Sequence, residues 1–79
     1  MEDFIATRDQ LRKYIFDKGL IPELVSRSDT SRTTVYETFK VKSESDLKGK
    51  AYKVWNCAIE LVEERKTAVL RAANALTNE

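Results

Sequence analysis

Residues 24–40 read LVSRSDTSRTTVYETFK and contain the pattern that decides the fold. The polar run around Asp29 favours a tight turn, because short polar side chains stabilise turns and Asp tolerates a left-handed backbone. Ser31 can cap a following helix, with Thr30 as the alternative, since a hydroxyl there can accept a hydrogen bond from a free N–H group. Val35 and Phe39 lie four residues apart and form an inward stripe. The stretch therefore predicts two helices joined by a tight turn.

The residues before the turn carry their own helix signals. Phe4, Leu11 and Ile15 recur at helical spacing, and Gly19 suits a helix C terminus because it accepts a left-handed backbone. Pro22 suits the first turn of a helix, where its missing N–H has no partner to lose. We therefore predict a first helix over about residues 3–18, a second over about residues 21–28, and a third from Arg32 to about Phe39.

A long helix is predicted for the C-terminal half of the chain. Ser43 and Asp46 have the spacing of a capping box, so this helix is predicted over about residues 44–76. Apolar residues follow in two stripes at helical spacing. The polar run VEERKT, residues 62–67, leaves open whether the helix bends or breaks there. The prediction is an all-α bundle of four helices, or five if the helix breaks, forming one domain over residues 1–79.

Composition excludes several functional classes. The 79 residues carry 14 basic and 13 acidic side chains, one cysteine and no histidine. The chain therefore offers no internal disulfide framework and lacks the commonest metal ligand and general base, so we predict neither an enzyme, nor a metal or cofactor site, nor a small-molecule ligand. We expect a cytoplasmic protein without a membrane partner, because no leader-like or membrane-spanning apolar run occurs.

The tight turn and its flanking helices resemble the helix-turn-helix of bacterial and phage transcriptional regulators. Leu24 and Val25 stand where repressors commonly have Ile-Ala, DTS at residues 29–31 stands at their Gly-Val-Ser turn, and Thr34 with Val35 matches their Thr-Val pair. The flanks are similar to several families. LRKYIFDKGL (11–20) looks like helix 1 of lambda-repressor-like domains, YETFKVK (36–42) is similar to a tetracycline-repressor signature, and KVWNCAIEL (53–61) resembles the helix that follows the motif in Lac-repressor-like proteins.

This resemblance, which covers about residues 8–62, implies sequence-specific binding of double-stranded DNA through a recognition helix in the major groove. The positions expected to face base edges are Arg32, Thr33, Tyr36 and Glu37. The positions expected to meet phosphates are Ser31, Thr34, Lys40, Lys42, Lys48 and Lys50. Tyr36, on the rim of the base-facing set, is also placed for phosphate contact. The segment 26–53 fits this role moderately, with seven basic and four acidic residues.

Two alternatives stay open. The polar third helix can be a solvated face, and the net charge of +1 also suits a helical adaptor that binds another protein and uses the motif only as a scaffold. The apolar stretch after residue 66 suggests a homodimer through a dimerisation end at residues 66–79, with a monomer as the alternative.

Overall fold

The computed structural model describes residues 3–77, which form four α-helices. Their bounds are Phe4–Asp17 for α1, Ile21–Ser28 for α2, Arg32–Thr38 for α3 and Lys50–Thr77 for α4, with one turn of 3-10 helix at Glu44–Asp46. No strand occurs in residues 3–77, and the predicted all-α fold with a long C-terminal helix is confirmed. Residues 1–2 of the predicted domain and residues 78–79 of the predicted dimerisation end lie outside this range.

Local signals set the ends of the first helices. Asp3 caps α1, where its carboxylate accepts hydrogen bonds from the N–H groups of Ile5 and Ala6 at 3.1 and 3.4 Å. Gly19 ends α1 with a φ of +64°, a left-handed conformation that costs glycine little. Pro22 lies in the first turn of α2, where its fixed φ suits the helix. Both helices begin and end within one residue of the prediction.

The predicted start of the C-terminal helix was wrong. Ser43 does not cap α4, because its hydroxyl lies 2.9 Å from that of Ser45 and only the short 3-10 turn follows. The backbone extends at Leu47 and becomes left-handed at Gly49, with a φ of +54°. These two conformations interrupt the helical hydrogen bonding, so α4 begins at Lys50.

The polar run 62–67 does not break α4, which continues to Thr77, so there is no fifth α-helix in residues 3–77. Charged side chains from this run reach back to α2. Arg27 donates two hydrogen bonds to Glu64, at 2.9 and 2.8 Å, and lies 3.0 Å from Glu23. Arg65 lies 2.7 Å from the same Glu23 carboxylate. We refer to these four side chains as the α2–α4 clasp; they link the polar segment of α4 to α2.

The first half of α4 supplies one side of the core. Its buried residues Val54, Ala58 and Leu61 pack against the three preceding helices. The other buried apolar residues of this core are Ile15, Leu20, Ile21, Leu24, Val35 and Phe39. Aromatic stacking extends the packing at one edge, where the rings of Phe4 and Trp55 lie 5.1 Å apart. The core thus holds α2 and α3 in a fixed relation to α1 and α4.

The second half of α4 lies outside this core. Every residue from 67 to 77 is exposed, and Val69, Leu70 and Leu76 are 69, 61 and 77% exposed. We call residues 67–77 the α4 tail. Even α4, the longest helix of residues 3–77, lacks the apolar run needed to cross a membrane.

Candidate nucleic-acid interface

The turn between α2 and α3 depends on a left-handed aspartate. Asp29 has φ 56° and ψ 46°, a conformation that the short carboxylate side chain tolerates better than most. The N–H of Thr30 then donates to the carbonyl of Val25 at 3.3 Å, which closes the C terminus of α2. The buried hydroxyl of Ser28 donates to the carbonyl of Leu24 and lies 2.7 Å from the hydroxyl of Thr30. The angle at which α3 leaves α2 is therefore set by hydrogen bonds.

Ser31 caps α3 as the sequence predicts. Its hydroxyl accepts a hydrogen bond from the N–H of Thr34 at 3.2 Å, and the two hydroxyl oxygens lie 3.0 Å apart. One hydroxyl proton is used between the pair and the other stays free to donate. The structure therefore brings these two predicted phosphate ligands together at the start of α3, and together they can still donate a hydrogen bond to an anion.

The two faces of α3 differ sharply. Val35 and Thr38 are buried, as is Phe39 at the end of the helix, and the Thr38 hydroxyl donates to the carbonyl of Thr34. The opposite face carries the predicted base-contacting positions Arg32, Thr33, Tyr36 and Glu37, all of which are exposed. The buried face fixes α3 against the core, so the polar side chains of its other face are held in position toward solvent.

Tyr36 makes a contact that the sequence analysis did not anticipate. Its ring stacks against that of Phe16 in α1, with centroids 5.7 Å apart and planes within 3° of parallel. Tyr36 nevertheless stays 37% exposed, so the ring is held by α1 while its edge faces solvent. Phe16 lies off the main apolar stripe of α1. An aromatic residue at such a position could have indicated a contact outside the core.

The lysines predicted to meet phosphates lie at the end of α3 and along the connection to α4. Lys40 follows Phe39, the C-cap of α3, and its backbone N–H donates to the carbonyl of Glu37 at 3.0 Å. Lys42, Lys48 and Lys50 are exposed, and within residues 3–77 none of them forms an ion pair. The connection is attached to the domain by Arg8, which donates to the carbonyl of Val41, and by the buried side chain of Leu47.

Arg27, a basic residue of the same motif, is not free to contact a phosphate. Its guanidinium is held by the two carboxylates of the clasp, and the hydrogen bond to Glu64 raises the pKa of Arg27 further above its usual range. The same hydrogen bond lowers the pKa of Glu64 below that of an ordinary glutamate. Of the seven basic residues in 26–53, one therefore neutralises acids of the protein itself.

Comparison with known proteins adds no relative: no family model, curated protein or solved structure matches this chain.

Proposed function

We propose that the protein binds double-stranded DNA sequence-specifically, by inserting α3 into the major groove. The supporting observation is the two-faced construction of α3, with Val35 and Phe39 fixed in the core and four side chains able to hydrogen-bond facing outward. A helix that reads base edges needs this combination, because the major groove admits one helix and its side chains must be held in register.

The residues divide by the chemistry they offer. Arg32 can pair with guanine through two hydrogen bonds, Glu37 can accept from the amino group of cytosine, and Thr33 can place its methyl group against thymine. Tyr36 stands at the edge of this set with its ring braced on α1. The phosphate-contacting set is Ser31, Thr34, Lys40, Lys42, Lys48 and Lys50, which would fix orientation without reading sequence.

The domain would act as a small transcriptional regulator of the bacterial or phage kind, working in the cytoplasm. Its net charge of +1 makes a single copy a weak electrostatic ligand for DNA, since phosphate neutralisation supplies much of the affinity of such proteins. Two copies on a two-fold symmetric site would double the phosphate contacts.

The α4 tail supports this homodimer. Of residues 67–77 only Arg71 is charged, and it lies with Thr67 and Asn74 on one face of the helix. Apolar residues occupy most of the rest of the circumference, as is typical of a helix that buries that side against a partner. Val69, Leu70 and Leu76 are exposed along the tail, so a packing partner would stabilise it by removing their apolar surface from water. A surface with so little charge does not repel a second copy of itself, and we propose that this second copy covers it.

A titration of binding against salt tests the DNA proposal. We expect affinity for mixed-sequence duplex to fall steeply as salt rises, because each phosphate contact releases counterions. Arg32→Ala should relax sequence preference, whereas Lys40→Ala should weaken binding to all sequences alike. Absence of duplex binding at low salt would reject the proposal, and unchanged binding by both variants would reject α3 as the recognition helix.

The competing function is that of a protein-binding adaptor. The commitment of Arg27 to the clasp and the near-neutral charge favour it, as does the exposed apolar tail. The same salt titration separates the two, because an adaptor would bind no duplex while keeping its fold.

A further inference from the structure

A groove of about 380 Å³ separates α1 from the end of α3. We call it the α1–α3 groove; it is lined by Arg12, Phe16, Tyr36, Phe39 and Lys40. Phe39 is buried at its base, while Phe16 stays 44% exposed and Tyr36 stacks beside it. The groove opens beside the exposed face of α3, since Tyr36 belongs to both.

The charges around this groove are of one sign. Arg12 and Lys40 line it together, although one comes from α1 and the other from the segment after α3. Among residues 3–77, no carboxylate lines the groove. The nearest ion-pair partner of Arg12 is Asp9 at 3.5 Å, and that carboxylate makes its closer contact, at 2.8 Å, with Arg8. The Arg12 guanidinium is thus weakly paired and 43% exposed.

The aromatic pair gives the groove a firm wall. Offset-stacked rings hold each other in place, and here they join α1 to α3 at the surface. Tyr36 is therefore pre-positioned, so its hydroxyl can donate to an anion without ordering a free side chain. An anion lying along this wall would meet a guanidinium, an ammonium group and a phenol.

We infer that the α1–α3 groove binds a phosphodiester segment of the DNA backbone that flanks the bases contacted by α3. The inference rests on the proposed function and adds α1, through Arg12 and Phe16, to the DNA-binding surface. The positive charge of the groove complements the negative charge of the phosphodiester. The groove is also continuous with the recognition face through Tyr36. Arg12 contacts phosphate, and Phe16 is a positioning residue that acts through Tyr36.

The test compares adjacent cations on α1. Arg12→Gln and Lys13→Gln remove the same charge, but Lys13 is exposed on a different surface, beside Gln10 and Asp17. Binding of each variant to a duplex selected by the wild-type chain is measured across a salt series, with circular dichroism to verify folding. We expect Arg12→Gln to weaken binding about tenfold and to reduce the salt slope by about one. Lys13→Gln should leave the slope unchanged, and Arg12→Lys should restore it.

The positioning role has its own readout. Phe16→Leu keeps an apolar side chain against α3 but removes the stacking partner of Tyr36. Because the inference places the Tyr36 hydroxyl on a phosphate, we expect Phe16→Leu to weaken binding to all sequences alike. The salt slope should stay that of the wild type, because no charge is lost. A changed sequence preference would assign the effect to α3 instead.

Each remaining outcome decides the inference. Equal effects of Arg12→Gln and Lys13→Gln would overturn it, since they would report only overall charge, and DNA binding by α3 would still stand. Absence of duplex binding by the wild-type chain would overturn both proposals. Nuclear magnetic resonance shifts in Phe16 and Tyr36 with polyglutamate but not with duplex would assign the groove to an acidic protein partner and overturn the inference.

Discussion

The two halves of α4 carry similar apolar patterns and have opposite environments. In residues 50–61, Val54, Ala58 and Leu61 are completely buried against α1–α3. In the α4 tail, Val69 and Leu76 continue the second apolar stripe, which runs through Trp55 and Val62, yet every residue of the tail is exposed. The clasp marks the boundary, because its residues Glu64 and Arg65 make the last contacts with α2. Apolar periodicity predicts a helix equally well in both halves, but it does not say which half already has its partner.

The sharpest difference between the halves should appear on truncation. A chain ending at Lys66 loses the tail but keeps the whole buried core, so we expect the helices of residues 3–66 to stay folded. Self-association should be lost entirely, since the proposed dimer surface is gone. Sedimentation of the full and truncated chains measures the second effect, and circular dichroism per residue measures the first. A truncated chain that sediments as the full chain does would remove the tail from the interface.

A matched pair of substitutions compares the halves within the full chain. Leu61→Ala opens a cavity in the core and should lower the free energy of unfolding by about 2–5 kcal/mol. Leu70→Ala deletes the same atoms from an exposed position, and in the monomer it should cost less than about 0.5 kcal/mol. Urea unfolding at a protein concentration below that of self-association measures both. Equal losses would mean that the tail is packed against its own domain.

The cap of α3 should give a smaller effect. Ser31→Ala removes the acceptor for the Thr34 N–H and should lower the free energy of unfolding by about 1 kcal/mol. Ser26→Ala is the control, because Ser26 is exposed inside α2 and its hydroxyl makes no hydrogen bond within residues 3–77. The same urea measurement applies. If Ser26→Ala lowered the free energy of unfolding as much as Ser31→Ala, loss of the cap would not explain the effect of Ser31→Ala.

The smallest effect is expected at the boundary between the halves. The folded-state pKa of Glu64 is lowered by its hydrogen bonds from Arg27, so its stabilisation is complete above the ordinary glutamate pKa and is lost as pH falls through the lower folded value. The melting temperature of the wild-type chain should therefore decline below about pH 4.5 more than that of Glu64→Gln. Glu63→Gln, which alters an adjacent exposed acid, should follow the wild type. Identical pH profiles for all three would mean that the pair of Arg27 with Glu64 does not stabilise the fold.

The fold follows from local signals to a large extent. Gly19, Pro22 and Ser31 each fix a helix end through their own backbone preferences or hydrogen bonds, so the first three helices match the prediction closely. Ser43 is misleading because it has a possible partner both at Asp46, as in a capping box, and at Ser45. Its hydroxyl lies next to Ser45, and the left-handed turn at Gly49 delays the start of the long helix.

Tertiary contacts account for what the sequence pattern does not contain. The ion pairs of Arg27 with Glu64 join residues 37 positions apart, and nothing local in VEERKT indicates them. The stack of Phe16 on Tyr36 likewise depends on the angle between α1 and α3. For the candidate site, the sequence therefore predicts the exposed face of α3, whereas the contribution of α1 becomes visible only once the helices are packed.

Selection of bound sequences from a random pool of duplex DNA tests the central claim most directly. If α3 reads base edges, a defined motif should be enriched, and Arg32→Ala should relax the preference at one position of it. A homodimer should further give two half-sites related by a two-fold axis, about one helical turn apart. A pool that stays unenriched, or the same motif from the Arg32→Ala variant, would contradict the assignment of α3 as a recognition helix.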